Sequence, residues 1–364
     1  MKKGHTVFIT GASGYVGAML VAHFNALDDV ERIIALDKDP MPELLENCEK
    51  VMFLQMNTAD AWQEQVATYM PSIVIHCAWH IREIYGNREL SWKWNIDGSD
   101  AVFDFCFEHE FVKQLIHFSS VASYGASSIN TPDQFFTEQD PLRESESLYA
   151  EEKRISENHL TQKYELYQQT NPELAIAVLR PASITGPRGR FMREGITLQS
   201  ALSGEQRKTF PQKIVSLMTT WVPVTSGWLR QFIHEDDVVS IVQKVALERE
   251  GKISTFETYI TCPPDSVVTG TDIAALVGKK AIVLPPVFVR IAFFLAWHLT
   301  RGRIPTAPGS WKGYSYPIPV DGSHITRDLA YTYQYRGVDA LTYTDGMYEY
   351  AVPPLERKNK TRHE

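Results

Sequence analysis

The chain has 364 residues, 44% of them apolar, a formal net charge of −8 and a pI near 5.8. That is enough to bury a substantial core, as one large or two intimately packed domains. The acidic balance excludes nucleic-acid binding through a basic face, because the one basic cluster, Glu356-Arg357-Lys358-Asn359-Lys360-Thr361-Arg362, reads as a solvated, frayed tail. In chain order, Met1-Lys2-Lys3-Gly4-His5 leads straight into an apolar run and carries no signal-peptide cleavage site. That run predicts a strand over 7–10, and Gly11-Ala12-Ser13-Gly14-Tyr15-Val16-Gly17 follows it as a glycine-rich turn into a helix over 15–27. Such a turn lets backbone amides approach a pyrophosphate, with the helix N-terminus adding a positive dipole end. Gly11 permits the tight turn, Gly14 the close backbone approach, and Gly17 the packing of helix on strand.

A second strand over 32–36 ends at Asp37, 20 residues after Gly17. An acidic side chain there accepts hydrogen bonds from an adenosine ribose and repels a 2′-phosphate, favouring NAD over NADP, although Lys38 softens that preference. Further strands are expected over 51–55, 73–77, 115–119 and 175–179, with helices over 61–70, 91–108 and 148–169. This alternation predicts an α/β fold: a doubly wound parallel sheet of the Rossmann type, covered on both faces. Ligands bind beyond the carboxyl ends of such strands, where Gly11, Asp37, Ala78 and the pair Ser119-Ser120 all stand.

Tyr149-Ala150-Glu151-Glu152-Lys153 places Tyr149 and Lys153 at i and i+4, on one helical face. Tyrosine ordinarily titrates near pH ~10, and a lysine ammonium together with an oxidised nicotinamide would lower that value. Lys153 could also hold the nicotinamide ribose hydroxyls. Ser120 would orient a substrate hydroxyl or carbonyl while Tyr149 removes or returns its proton. Glu151 and Glu152 are expected to be solvated, and His76 to be a packed strand-end histidine rather than a base.

After Pro181 the pattern loosens, with turns over 186–230 and many prolines over 263–320. The NAD-binding part is expected to span 1–182, with 231–260 returning to it, and a smaller substrate-binding lobe to comprise 183–230 and 261–364. The apolar stretch Val287-Phe288-Val289-Arg290-Ile291-Ala292-Phe293-Phe294-Leu295-Ala296-Trp297-His298 is too short for a membrane span and carries Arg290 at mid-length. It reads as a helix buried on most sides, the alternative being an interfacial membrane contact or a lid over an apolar substrate. Cys48, Cys77, Cys106 and Cys262 show no metal-ligand or paired spacing, so they read as buried thiols of a reducing, cytoplasmic protein with no metal.

Taken together, these motifs resemble the extended short-chain dehydrogenases/reductases of the NAD-dependent epimerase/dehydratase type, over roughly residues 5–245. The glycine turn, including Ser13 and Tyr15, matches that family's nucleotide loop. Ile75-His76-Cys77-Ala78 matches the end of its fourth strand, Asn95-Ile96-Asp97-Gly98 the helix bearing its asparagine, and Phe118-Ser119-Ser120-Val121-Ala122-Ser123-Tyr124-Gly125 its serine segment. Leu179-Arg180-Pro181-Ala182-Ser183-Ile184-Thr185-Gly186-Pro187 and Arg230-Gln231-Phe232-Ile233-His234-Glu235-Asp236-Asp237-Val238 match two later signatures. The resemblance implies a catalytic tetrad of Asn95, Ser120, Tyr149 and Lys153, with Asn57 near the adenine where Asp is usual. It also implies a homodimer built from the helices near 91–108 and 148–169.

Several departures narrow the activity. Dehydratases of the family place Asp-Glu after the serine, where this chain has Val121-Ala122, which carry no proton. Ala182-Ser183 replaces an asparagine that binds a sugar diphosphate, whereas Arg230 matches an arginine that clamps one. Trp79 and His80 replace smaller residues near the expected substrate pocket, and a loop-filling role for them is favoured over a catalytic His80. The expected function is hydride transfer at a secondary alcohol or ketone, as a nucleotide-sugar epimerase or a related hydroxy-compound dehydrogenase/reductase. The alternative is a non-catalytic dinucleotide-binding regulatory or scaffold protein.

Overall fold

A computed structural model describes residues 4–191, 221–248, 256–264, 267–276, 279–342 and 346–351. Parts of the expected substrate lobe and the basic tail at 356–362 lie outside the described residues. The main sheet has seven parallel strands: β1 His5–Thr10, β2 Val30–Asp37, β3 Val51–Gln55, β4 Ile73–His76, β5 Gln114–Phe118, β6 Ala175–Pro181 and β11 Phe256–Thr261, in the order β11-β6-β5-β4-β1-β2-β3. Smaller two-stranded pairings join β7 Ser183–Thr185 to β10 Phe232–His234, β9 Leu229–Arg230 to β12 Val268–Thr269, and β8 Trp221–Val224 to β13 Lys280–Val283.

Continuous apolar strands are buried on both sides here. Val7 and Ile9 of β1 enter one core with Met19, Leu20 and Phe24 of α1 (Tyr15–Asn25), while Phe8 enters the other with Trp62 and Phe105. Alternation along one strand thus feeds two cores, and that is why these strands read as uninterrupted apolar runs. The second core is closed by α2 (Gln63–Ala67) and α4 (Gly98–Glu108), and the first by a later helix, α7 (Glu235–Leu247). A third, smaller cluster gathers Val224, Trp228, Phe232, Val268 and Ile273.

Two expected helices differ in detail. The helix expected over 61–70 is only five residues long. The one expected over 91–108 is broken into α3 (Arg88–Trp92), a π-helical turn at Lys93–Asp97 and α4. The π-turn carries Asn95, and such bulges re-aim side chains at functional positions.

A larger correction concerns the helix Pro286–Thr300, expected to be buried on most sides. Only Val289 and Trp297 are buried, while Val287, Phe288, Ile291, Phe294, Leu295 and Leu299 face outward. Periodicity could not distinguish the two outcomes, because apart from Arg290 and His298 the helix is apolar on every face. The cysteines are free thiols, Cys106 and Cys262 buried and Cys48 and Cys77 half-buried.

Helix α5 (Leu148–Tyr167) buries a polar face. Glu152, Lys153, Ser156, Glu157 and Leu160 recur at helical spacing and all point inward. Glu157 takes two hydrogen bonds from Arg180 Nε on β6, at 3.0 and 3.2 Å, and a further one from its Nη2. Arg180 Nη1 donates to the Tyr124 hydroxyl at 2.7 Å, and that hydroxyl donates to Thr137 O at 2.8 Å. Removing one partner of a buried pair strands the other charge. We expect Glu157→Ala to cost about 3–5 kcal/mol of stability, and the double change Glu157→Leu with Arg180→Met to recover most of it. Chemical denaturation of the three proteins checks both statements.

Candidate active site

Beyond the carboxyl ends of β1, β2, β4 and β5 lies a cleft of about 820 Å³. Of the residues singled out from sequence, Gly11, Ser13, Gly14, Tyr15, Gly17, Asp37, Asn57, Ala78, Trp79, His80, Ser120, Tyr149 and Arg230 line it, and Asn95 and Lys153 stand behind its wall.

The glycine turn is built by close backbone contact. Gly11 has φ +73°, and a Cβ there would lie 2.6 Å from the Ala78 amide nitrogen. A Cβ at Gly17 would lie 2.0 Å from Gly11 O, so helix α1 could not seat on the turn. Gly14 caps α1 without a side-chain acceptor, and no acid occupies the first turn. The amide end of the helix therefore faces the cleft with no carboxylate in its own first turn. Asp37 accepts from Ser13 N at 2.9 Å and Asp39 N at 2.9 Å, tying the turn to the end of β2, and burial raises its pKa. Lys38 pairs with Asp39 at 2.8 Å, so the cation beside Asp37 is already matched. These residues fit a dinucleotide: a helix N-terminus for a diphosphate, and a carboxylate for a ribose. The Tyr15 ring lines the cleft while its hydroxyl donates to buried Glu235, which also accepts from Arg188 N at 3.0 Å and Gly189 N at 2.9 Å. Asn57 forms a local turn, its Oδ1 accepting from Ala59 N at 2.9 Å.

A continuous relay connects this turn to Asn95. Ala78 N donates to Thr10 Oγ1 (3.3 Å), which lies 2.7 Å from His76 Nδ1. His76 Nε2 lies 2.8 Å from Ser99 Oγ, which donates to Asn95 O at 2.5 Å. Since the serine hydroxyl gives its proton to Asn95, His76 must donate from Nε2 and accept at Nδ1, a neutral tautomer assigned by donor counting. Its pKa, pushed down to about 3 by burial and then by Lys153, agrees. His76 is therefore a packed strand-end residue and not a base.

Asn95 spends its carboxamide on positioning. Oδ1 accepts from His80 N (2.7 Å), and Nδ2 donates to His80 O (3.0 Å) and Glu152 Oε2 (2.7 Å). Glu152 also accepts from Ser91 Oγ at 3.4 Å and is buried, contrary to the expectation that it is solvated, and burial raises its pKa. Glu151, partly exposed, pairs with Arg154. Sequence reasoning missed Glu152, yet the signal was present. If Tyr149 and Lys153 face the sheet at i and i+4, position 152, at i+3, lies on the same face.

Ser120 ends β5's extension and caps a short 3-10 turn, Val121–Tyr124, its Oγ accepting from Ala122 N at 3.2 Å. Tyr149 lines the cleft together with Ser120. Lys153 is buried, donates from Nζ to Phe118 O at 2.5 Å, and lies 3.4 Å from the centre of the Trp79 ring. Burial lowers its pKa to about 7, offset in part by Cys77, Glu157 and Glu152. The expected lowering of the Tyr149 pKa by Lys153 is not what this geometry gives. Burial raises Tyr149, and the opposing influence is the Ser120 hydroxyl. His80 packs edge-on against Trp94 at 5.2 Å, and burial lowers its pKa. Arg230, half-buried, donates to Gly313 O at 3.0 Å beside the rings of Tyr314 and Trp228. Among the described residues no cluster of His, Cys, Asp or Glu could hold a metal ion.

Comparison with known proteins places this geometry in context. Residues 7–257 match the sequence profile described as the NAD dependent epimerase/dehydratase family. A curated relative, the 3 beta-hydroxysteroid dehydrogenase/Delta 5-->4-isomerase of Vaccinia virus (strain Ankara), is 24% identical over 192 residues, which is 51% of this chain and 54% of that protein. The chain thus spans about half the length of the curated relative it matches. Among solved structures, the Bordetella bronchiseptica enzyme WbmG in complex with NAD and UDP is similar with a TM-score of 0.67 and 18% identity, over 96% of this chain and 95% of that one. The UDP-glucose 4-epimerase of Thermotoga maritima with UDP-glucose gives 0.65 and 17%, over 92% and 96%. At these identities the structures establish the fold alone.

The 2.0 Å approach at Gly17 yields a direct test. We expect Gly17→Ala to force α1 off the turn at a cost of about 1–3 kcal/mol, seen as a lower thermal midpoint, whereas Gly86→Ala, where a Cβ meets nothing within 4 Å but the φ is +75°, pays only for its backbone.

Proposed function

Because the chain belongs to the NAD dependent epimerase/dehydratase family, we propose that it is an oxidoreductase-type enzyme acting at a secondary alcohol or ketone, with NAD as cofactor. The observation that carries this reading is that Ser120 and Tyr149 line the same cleft as Gly11, Gly14 and Asp37. When bound, the nicotinamide supplies the acceptor or donor of hydride. The Ser120 hydroxyl holds the substrate oxygen, and Tyr149 takes or returns the proton on that oxygen. Lys153, anchored on Phe118 O, would hold the nicotinamide ribose hydroxyls. Asn95 is a positioning residue within the proposed tetrad, holding the His80 backbone and Glu152 in register with α5. NAD is preferred over NADP because a 2′-phosphate would approach both Asp37 and Asp39, with Lys38 already engaged.

Cleft walls of Trp79, Ile81, Trp94, Val121 and Ile273 support a hydroxy-compound dehydrogenase/reductase with an apolar substrate body. They are also consistent with the steroid named for the viral relative. A nucleotide-sugar epimerase is the second reading. It is favoured by Arg230 in the cleft and by the UDP carried by the Bordetella enzyme. Dehydration is disfavoured, since Val121 and Ala122 line the cleft beside Ser120 and carry no proton. The proposal includes a division into an NAD-binding part (1–182 with 231–260) and a substrate lobe, a homodimer through α4 and α5, and a cytoplasmic setting.

Absorbance at the NADH band separates the readings. Net NADH from an alcohol marks a dehydrogenase, and conversion without net NADH a closed-cycle epimerase. No turnover on a broad alcohol and sugar panel, with NAD still bound, would instead mark a dinucleotide-binding scaffold. We expect Tyr149→Phe to lower kcat by about 10²–10⁴-fold with NAD affinity retained in calorimetry. Phenolate is needed to remove the proton and phenol to return it. Alcohol oxidation should therefore rise with pH and ketone reduction fall, both limbs sharing one apparent pKa. Parallel limbs would exclude Tyr149 as the proton carrier.

A further inference from the structure

We infer that the helix Pro286–Thr300, here α9, docks the protein flat onto an anionic lipid bilayer. A helix apolar on all sides is normally enclosed by protein. This one is held to the body along a narrow inner edge. Trp297 packs on Tyr85 at 5.4 Å, and Phe293 on Tyr314 at 5.3 Å. On the opposite side Val287, Phe288, Ile291, Phe294, Leu295 and Leu299 are each at least half exposed, and Leu299 reaches 81%. Their spacing gathers them into one stripe of about 140°. Isolated apolar side chains on a surface need no explanation, but a contiguous stripe of this kind marks an interaction surface.

The surrounding charge selects the occupant. From residue 273 to residue 320 the chain has no Asp or Glu and carries Lys279, Lys280, Arg290, Arg301, Arg303 and Lys312, in a protein whose net charge is −8. Arg290 lies over the Trp311 ring at the edge of the stripe, and Arg301 and Arg303 are exposed immediately beyond its C-terminal end. An apolar face rimmed by cations, in a protein otherwise acidic, is complementary to anionic headgroups over acyl chains. A second copy of the chain fits less well, because a two-fold contact through this face would set the same cationic rims against each other. Fifteen residues give about 22 Å of helix, short of a ~30 Å hydrocarbon core, so the helix lies in the interface rather than across it. Among the described residues no helix is long and apolar enough to cross a membrane.

This docking would bring the bilayer to the cleft. Tyr85 continues the loop whose Trp79, His80, Ile81 and Arg82 line the cleft, and Tyr314 lines it directly. The two supports of α9 are thus elements of the cleft rim.

The test is flotation of the full chain with vesicles of phosphatidylglycerol and phosphatidylcholine in equal parts, against phosphatidylcholine alone. We expect at least about tenfold more protein floating with the anionic vesicles, with binding reduced by high salt. The double variant Phe294→Ser with Leu299→Ser should lose flotation while keeping its circular dichroism spectrum, and Arg301→Glu with Arg303→Glu should lose the preference for anionic vesicles. The inference is overturned if the native chain stays unbound with anionic vesicles, or if both variants float as it does. It is equally overturned if sedimentation shows a dimer that the Phe294→Ser, Leu299→Ser variant dissociates and that does not bind vesicles. No turnover enters the readout, so the result is independent of the proposed reaction.

Discussion

Helix α5 buries charge against a sheet, and the arrangement of the cleft depends on how that charge is matched. Glu157 is answered by Arg180 of β6, and Glu152 by the Asn95 carboxamide. Lys153 is answered by a carbonyl and an indole rather than by a carboxylate in direct contact. The first two pairings are structural in the strict sense, since breaking either leaves a desolvated charge. The third leaves an ammonium whose protonated form is poorly supported, beneath the wall lined by Tyr149 and Ser120. The Glu157–Arg180 pair holds the helix, and two less fully supported groups, Lys153 and Glu152, lie beside the proposed chemistry. Perturbed groups gather at working sites for this reason.

The same carboxyl-end edge is braced by a later helix. Glu235, in the first turn of α7, collects the Tyr15 hydroxyl and the Arg188 and Gly189 amides. Asp237 beside it accepts from the Tyr331 hydroxyl at 2.7 Å and Gln334 N at 2.8 Å. Successive acids at a helix N-terminus are favourable there. In this protein they serve as buried attachment points that tie the nucleotide turn to two distant segments.

Much of this was legible before any coordinates. Apolar runs marked the strands of the first 180 residues, and the glycine spacing and Asp37 located one half of the cleft. Ser120 and Tyr149, 29 residues apart, were joined by the strand-end position of one and the helical spacing of the other from Lys153, and the family pattern added Asn95. What escaped was what depends on three-dimensional neighbours. Asn95 reads as a helix residue, and nothing local announces a π-turn. Glu152 reads as a solvated acid until its face is assigned. His76 reveals its tautomer only once Thr10 and Ser99 are beside it. The apolar helix at 286–300 was the clearest misreading, because composition reports that a segment avoids water but not whether protein covers it.

The placing of β11 has a consequence for how the protein is made. The sheet's outer strand beside β6 comes from residues 256–261, after the chain has left the sheet at 181 and passed through the lobe. On a ribosome emitting residues in order, β6 and its inward Arg180 emerge long before the strand that covers their edge. Parallel pairing across that interval is slow to close, and an uncovered parallel edge invites other chains. The seven-stranded sheet therefore completes only once residues 182–255 have been synthesised, and chains truncated before residue 261 should need chaperone protection to remain in solution.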